Sequence, residues 1–273
     1  ARLAEYAGNR ELLVNLTLRE LRTRYKRSIL GWSWSLVNPL ATVLIYTLVF
    51  SFFLKIEPPV GDPSGLHTFA LFLLCGLISW NLFSNAVTGG LGALVANANL
   101  IKKVYFPREL LVAAAIFSPV ITSLIEFGVL IIIMLAWGNM TLPWIPALLL
   151  VLALQTIFVL GLALAMSVWN VYFRDLQHLM SILMQILFYM TPLVYPIRLV
   201  PNHATVLGMR LPLGTIYRIN PMVHFVDAYR NVLYDLRFPP LTTMGAIVAW
   251  SFGAFAFGRY VFTRLDRRLA EEV

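Results

Sequence analysis

Residues 127–173 read FGVLIIIMLAWGNMTLPWIPALLLVLALQTIFVLGLALAMSVWNVYF, forty-seven positions between Glu126 and Arg174 with no Asp, Glu, Lys or Arg among them. At 1.5 Å of rise per residue a helix of that length would run about 70 Å, more than twice the roughly 30 Å of a bilayer's hydrocarbon core. The stretch must therefore turn. Asn139, Pro143 and Pro146 supply the turn, because proline lacks the amide hydrogen that a helix interior needs. It reads as two membrane helices folded back on each other, 110–137 and 144–169. Backbone in lipid must satisfy its hydrogen bonds internally, which leaves helices or a closed barrel. Barrel strands would alternate polar and apolar positions. These runs are unbroken, so the expected fold class is an all-α integral membrane protein.

The composition agrees. Of 273 residues, 59% are hydrophobic and 12% are charged, against about 25% charged in an ordinary soluble domain. A soluble enzyme is excluded, and so is disorder, which needs a chain poor in Leu, Ile, Val and Phe. Four more apolar runs, 34–54, 69–87, 179–195 and 241–262, bring the expected spans to six, in a single membrane domain over 1–273. The first belongs to an uncharged stretch, 28–54, too long and too far along the chain for a secretory signal core. Cys75 is the only cysteine and forms no intrachain disulfide. Small-xxx-small pairs, Gly161 with Ala165 and Ala249 with Gly253, would let helices approach closely.

Residues 8–27 differ in kind. Val14, Leu18, Leu21 and Tyr25 recur at helical spacing on one face, while Arg19, Arg22 and Lys26 line another. The pattern predicts an amphipathic helix on the membrane surface; a cytoplasmic helix with an ordinary core face would carry it too. Six spans put both termini on one side. With that side inside, Arg2, Arg10, Arg19, Arg22, Arg24, Lys26, Arg27, Lys102, Lys103, Arg108, Arg174, Arg259, Arg264, Arg267 and Arg268 all fall in cytoplasmic segments, as the positive-inside rule requires. The exception is 196–240, which holds Arg198, Arg210, Arg218, Arg230 and Arg237 among six prolines. Over 201–239 it is expected to send short re-entrant helices into the outer leaflet, which irregular backbone tolerates only when buried in protein or beside a wet cavity. A plain outer loop is the other reading.

No catalytic or metal signature is present. His67, His178, His203 and His224 are dispersed, Gly89, Gly90 and Gly92 follow no strand, and GxxxxGK[ST] is absent, so the chain cannot cradle ATP phosphates itself. Transport against a gradient would draw its energy from a partner or from ions. Residues 97–109, between the second and third spans, form a short cytoplasmic element with two lysines, an aromatic pair and a proline, suited to docking on a protein or to anchoring at the interface with snorkelling lysines. Arg174 and Asp175 sit in a second cytoplasmic turn. Glu126 is an intramembrane charge about 27 Å along the third span from Arg108, of the kind that faces a bundle interior or water.

At this point the residues resemble a known family. Arg19-Glu20-Leu21-Arg22-Thr23-Arg24-Tyr25-Lys26-Arg27-Ser28-Ile29-Leu30-Gly31-Trp32-Ser33-Trp34, followed by Asn38-Pro39-Leu40, looks like the opening of ABC-2 type permeases that export polysaccharides and teichoic acids. Residues 100–109, 172–178, Asn220-Pro221-Met222 and 224–230 are similar to that family's later signatures, in the same order. The resemblance covers essentially the whole chain. It implies a half-transporter of the bacterial cytoplasmic (inner) membrane, multi-pass with both termini cytoplasmic. Two copies form the pathway, and two copies of a separate ABC ATPase subunit hold the ATP and Mg, with no cofactor or metal on this chain. The implied cargo is a polyprenyl-diphosphate-linked polysaccharide, and no nucleic acid is involved.

The resemblance also distributes roles. Asn99, Leu100, Ile101, Lys102, Lys103, Tyr105, Phe106 and Arg108, with Arg174 and Asp175, would couple to the ATPase. Residues 12–27 would be the gate element, its Arg22, Arg24, Tyr25, Lys26 and Arg27 meeting the lipid head group, since cationic side chains match phosphate oxygens. Among aromatics whose flat faces suit sugar C–H groups, Trp32, Trp34, Tyr46, Phe50 and Tyr189 are candidates for the tunnel wall. Arg outnumbers Lys 17 to 4, a compositional hint toward O-antigen or cell-wall galactan over teichoic acid. The competing readings are an ion-coupled carrier using Glu126 and, lacking an acidic loop cluster, a membrane glycosyltransferase.

Overall fold

A computed structural model describes residues 10–25, 37, 40, 41, 44, 45, 47–53, 59–104, 106–195, 204–206 and 209–266. The ordered elements are α1 (Arg10–Tyr25), a π-helical segment (Thr47–Phe53), α2 (Phe69–Ala96), α3 (Ala98–Lys103), α4 (Glu109–Ala136), a 3-10 turn (Leu142–Trp144), α5 (Ile145–Tyr172), α6 (Leu176–Met190), a hairpin of β1 (Ala204–Val206) and β2 (Met209–Leu211), α7 (Leu213–Ile219), α8 (Pro221–Arg230), a π turn (Asn231–Asp235) and α9 (Leu241–Leu265). Among the described residues the regular elements are helical except for that hairpin, whose antiparallel register sets Ala204 opposite Leu211. It is a small departure from an all-α expectation.

Among the described residues four helices are long and apolar enough to cross a membrane: α2, α4, α5 with its 3-10 lead-in, and α9. Two of the six expected spans are not among them. Of the 34–54 run the structure describes twelve residues, 37, 40, 41, 44, 45 and 47–53, the last seven as the π-helical segment Thr47–Phe53. The 179–195 run becomes α6, which starts earlier and stops at Met190 after 15 residues, about 22 Å, because Thr191 turns extended and Pro192 follows. The 69–87 run continues to Ala96, through Gly89, Gly90 and Gly92. Gly90 explains why: a Cβ there would stand 2.5 Å from that of Ala163, so the glycine serves helix contact and does not break the helix. The 127–173 stretch turns where the prolines required. Gly138, at φ 82°, ends α4 in the left-handed conformation glycine accepts without strain.

α2 is the central helix, with α4, α5, α6 and α8 packed on it. The N-terminal helix α1 lies against α4. It buries Leu16, Thr17 and Leu21, whereas Val14 and Leu18, expected on the same face as Leu21, are exposed. α9 packs most extensively on α5, and that crossing is close. A Cβ on Gly258 would run into the Gly161 carbonyl, and one on Gly161 into the backbone of Ala254 and Phe255. In hydrocarbon no hydrophobic drive brings helices together, so small residues that let backbones touch supply the contact. Gly161 fills the role read from the sequence; its partner is Ala254 with Gly258, not Ala249 with Gly253, which lies in open space.

These contacts predict a sharp contrast between two glycines. In Gly258→Ala the new methyl meets backbone, which has no rotamer to yield, so the loss is expected at about 3 kcal/mol or more, the upper end for overpacking. Gly128→Ala, on α4 with nothing nearby, is expected to be neutral or to gain up to about 1 kcal/mol. Thermal unfolding of both proteins in detergent distinguishes the two results.

Candidate functional site

The bundle has two functional ends. Asn139, the 3-10 turn and the segment from α7 to the π turn gather at one, the hairpin end; α3 and the N-terminus of α4 lie at the other, the basic end. At the hairpin end a single buried side chain joins three elements. Arg230, the last residue of α8, donates from Nη1 to the Pro192 carbonyl at 2.7 Å, from Nη2 to the Leu193 carbonyl at 2.5 Å and from Nε to the Phe72 carbonyl at 3.4 Å. Its guanidinium carbon also stands 3.7 Å from the centre of the Phe72 ring. Gly76 leaves the space: a Cβ there would come within 3.1 Å of Nη2. Pro192 and Leu193 lie where α6 has ended, so their carbonyls need a donor from outside the helix, while the Phe72 carbonyl in the first turn of α2 takes Nε as a second donor beside its helical one.

Around it the polar groups are paired in the same manner. Tyr229 Oη donates to Gln155 Oε1 at 2.8 Å, and Gln155 Nε2 donates to the Ser79 carbonyl at 2.9 Å, so α8, α5 and α2 share one buried link. The Tyr229 ring stacks on Phe127 with centroids 4.9 Å apart. Asn220 caps α8 by accepting from the Met222 amide at 3.0 Å and donates to Thr191 Oγ1 at 3.0 Å. Asn139 donates to the Leu233 carbonyl at 2.9 Å, tying the α4–α5 turn to the π turn. Leu236 follows at φ 60°, a conformation costing a non-glycine residue about 1–3 kcal/mol. Asn231 braces it: Arg237 donates to its carbonyl through the backbone and to its Oδ1 through Nε. Arg237 also pairs with Asp235 at 3.2 Å. Burial pushes the Asp235 carboxyl above its usual range, and Arg237 opposes the rise.

The basic end carries the residues expected to couple and gate. Asn99, Leu100, Ile101, Lys102 and Lys103 form α3, with Ile101 buried and Lys102 and Lys103 exposed in its last turn. Phe106 is half-buried against the core, and Tyr105 lies outside the described residues. Arg108 is not free for a partner. Its Nη1 donates to the Asp266 carbonyl at 2.6 Å and to Asp266 Oδ1 at 3.0 Å. One residue on, Glu109 pairs with Arg259 at 3.3 Å, so the start of α4 is bound twice to the end of α9. Arg174 and Asp175 are exposed, and Asp175, at the N-cap of α6, makes no side-chain cap. Arg19 of α1 donates to Asn97 Oδ1 at 2.5 Å, and Asn97 in turn donates to the Ala93 carbonyl at 2.8 Å. The N-terminal helix therefore touches the joint between α2 and α3.

Of the head-group candidates, Arg22 is exposed, Arg24 and Tyr25 close the last turn of α1, and Lys26 and Arg27 lie outside the described residues. Trp32, Trp34 and Tyr46 also lie outside them, and Phe50 falls in the π-helical segment. Tyr189 is exposed on the outward face of α6, in line with Leu179, Ile182 and Ile186. Glu126 is buried on α4 beside Phe127. Sequence reasoning did not single out Gln155, Asn231 or Asp266, and it read Asn139 as a turn residue without its bond to Leu233. It named Arg230 as an exception to the charge rule and, with Tyr229, within the 224–230 signature, and the charge exception was the available signal. Among the described residues no group of His, Cys, Asp and Glu could hold a metal.

A family model described as ABC-2 type transporter matches residues 11–234. The chain is 28% identical over 271 residues to the O-antigen export system permease protein RfbA of Myxococcus xanthus, covering 99% of this chain and 97% of that protein. It is 28% identical over 226 residues to RfbA of Klebsiella pneumoniae, covering 82% and 81%. With the polysialic acid transport protein KpsM of Escherichia coli it shares 26% identity over 220 residues, 80% of this chain and 79% of the other.

The Arg230 clamp predicts a graded series. In Arg230→Ala the Pro192 and Leu193 carbonyls lose their donor, at about 1–3 kcal/mol for each group left buried and unsatisfied. Arg230→Lys restores the charge without the planar fork and is expected to recover only part of the loss. The expected order of melting temperatures in detergent is wild type, then Lys, then Ala.

Proposed function

Because the chain belongs to the ABC-2 type transporter family, we propose that it is the transmembrane subunit of an ATP-driven exporter of a cell-surface polysaccharide, of the O-antigen or cell-wall galactan kind, carried on a polyprenyl diphosphate lipid. The observation that supports this reading is full-length similarity to permeases named for polysaccharide export, in a chain without a phosphate-binding loop of its own. ATP and Mg then belong to a separate ATPase subunit, two copies of which serve two copies of this chain in the cytoplasmic membrane, both termini inside.

In this reading the basic end faces the ATPase. The exposed Lys102 and Lys103 of α3 are the docking charges, and Arg174 and Asp175 flank them. Movement of α3 reaches the gate helix through Asn97 and Arg19, while Arg108 and Arg259 hold α9 to the same joint. The hairpin end faces outward, and α7 with α8 forms the re-entrant element. Its position fits, since Tyr229 reaches Gln155 and Phe225 lies 5.5 Å from Phe158, both well inside α5. The exposed face of α6 that carries Tyr189, together with the first span, faces the second copy across the pathway. With the 34–54 run and α6 added to the four long helices, the spans number six.

The reading makes three linked predictions. The purified chain alone hydrolyses no ATP, and co-expression with its ATPase subunit gives a four-chain complex. The charge reversal Lys102→Glu with Lys103→Glu lowers recovery of the ATPase in a pull-down by tenfold or more, in keeping with the several kcal/mol of like-charge contacts at an interface; unchanged recovery rejects the docking assignment. Arg108→Ala, in contrast, leaves recovery intact and lowers thermal stability by about 1 kcal/mol, the scale of a partly exposed pair. Export that persists without any ATPase and vanishes in Glu126→Gln would favour the ion-coupled carrier instead.

A further inference from the structure

Three ionisable side chains stand near the middle of the bundle. The ring of Phe225 in α8 lies 5.5 Å from that of Phe158, and Phe158 lies 6.0 Å from Phe83. Phe158 is about 20 Å along the 28-residue α5, and Phe83 about 21 Å along the 28-residue α2. The start of α8 is therefore level with the midpoint of both helices. His224 precedes Phe225, and its Nε2 meets the Arg218 carbonyl at 2.8 Å, which holds the end of α7 at the same level. Asp227 follows one turn on. Arg218 and its neighbour Ile219 are exposed, and His224 and Asp227 are partly so. Among the described residues none of the three ionisable groups forms an ion pair. Arg230 is spent on the carbonyls of Pro192 and Leu193, and Arg237 on Asp235 and Asn231.

This arrangement restricts what can cover the tip of the α7–α8 pair. Met222, Phe225, Val226 and Tyr229 turn the apolar face of α8 into the bundle. Pro221, His224 and Asp227, three residues apart, are the positions of α8 that remain partly exposed. Hydrocarbon does not suit them, because an ionisable side chain at this depth faces protein or a water-filled cavity. The 34–54 run carries no Asp, Glu, Lys or Arg, so it brings no counter-charge. The backbone at the tip is extended at Asn220, as it is at Thr191, to which Asn220 is bonded. Irregular backbone at membrane depth is likewise at home beside water. A carboxylate that only accepts and a guanidinium that only donates together complement hydroxyl groups, which do both.

We propose that Arg218 and Asp227 line a water-filled vestibule reaching the middle of the membrane from the hairpin end, and that there they hydrogen-bond the hydroxyl groups of the sugar chain in transit. His224 is a positioning residue that ties the end of α7 to α8. The opposite charges of Arg218 and Asp227 cancel, so the site favours neither anionic nor cationic sugars. The cargo rests on the exporter reading; the water does not.

Cysteine labelling of the full exporter in spheroplasts tests both parts, and the native Cys75 is buried and silent. Phe252→Cys is the control: Phe252 is an exposed residue of α9, and its neighbour Ser251 bonds the Leu154 carbonyl, within about 6 Å of the depth of Phe158. With a membrane-impermeant methanethiosulfonate, Arg218→Cys and Asp227→Cys are expected to react about tenfold faster than Phe252→Cys or more, since a thiol in hydrocarbon does not ionise. In cells that make the glycan, labelling of both is expected to fall by about half relative to cells lacking the transferase that starts it, the loss that half-occupancy gives. Asp227→Leu is expected to lower export about tenfold, the scale of one charge-assisted hydrogen bond, with recovery of the ATPase unchanged and with part of the export restored in Asp227→Asn. If neither cysteine reacts, protein or lipid covers the tip and the proposal falls. Labelling that is the same with and without the glycan overturns the sugar contact. Failure of the exporter reading is a separate result, export that continues without the ATPase, whatever the cysteines do.

Discussion

A polar group surrounded by hydrocarbon must find its partner inside the protein, and in this chain that constraint decides where the helices meet. Several of the polar side chains buried among the described residues are spent on backbone carbonyls of a neighbouring element. Gln155 reaches the carbonyl of Ser79, Asn170 that of Leu91 and Ser251 that of Leu154. Each bond sets the register between two helices, because a helix slid by one turn would leave a donor in apolar surroundings. Arg230 is the extreme case. A guanidinium cannot be buried beside a bilayer without filling its donors, so the carbonyls of Phe72, Pro192 and Leu193 must converge on it, and α2, the end of α6 and α8 are located together.

Much of the fold was legible because it rests on the same economy. A run of 47 residues without charge admits few outcomes, and its prolines and Asn139 marked a turn that the structure keeps. What the sequence obscured depends on faces. Gly161 was recognisable as a contact residue, but α9 carries several small pairs, and nothing in the sequence says which faces α5. The answer, Ala254 with Gly258, comes from where the two helices cross. The second span runs past the expected 87, and Gly90 within the extension admits Ala163 without ending the helix. α6 was drawn too far because 191–195 is apolar, although the extended Thr191 and the proline after it stop the helix.

The candidate site divides in the same way. Lys102 and Lys103 were readable as a charged step at a membrane edge, and the structure leaves them exposed. Arg108, three residues past Tyr105, carried the same charge and has a different employment, since its guanidinium meets Asp266, 158 residues on. Pairing over that distance leaves no local trace. Tyr229 and Gln155 were equally silent, each an ordinary residue until α8 is laid along α5. The five arginines of 196–240 broke the charge rule visibly, and the structure removes part of the anomaly: Arg230 is buried and Arg237 is paired with Asp235 and Asn231. Buried Arg230 is not a surface charge of the kind the rule counts, whereas Arg237, although paired, stays exposed.

The helix α6 occupies the point where these constraints leave freedom. Its end is held by the clamp through Pro192 and Leu193 and by the Asn220–Thr191 bond, while its start follows an exposed turn at Arg174 and Asp175. Between them only Met180 and Met184 are buried, and Leu179, Ile182, Ile186 and Tyr189 stand exposed. A helix fixed at one end, with flexible thioethers on its inner face and no partner helix at its α9 side, resists rotation about its length far less than α2 or α5, whose polar links cross the bundle. The sequence places the buried polar bonds on α2, α5 and α8, which keep their register, and leaves the inner face of α6 with hydrocarbon contacts, since apolar surfaces slide without leaving a donor unpaired.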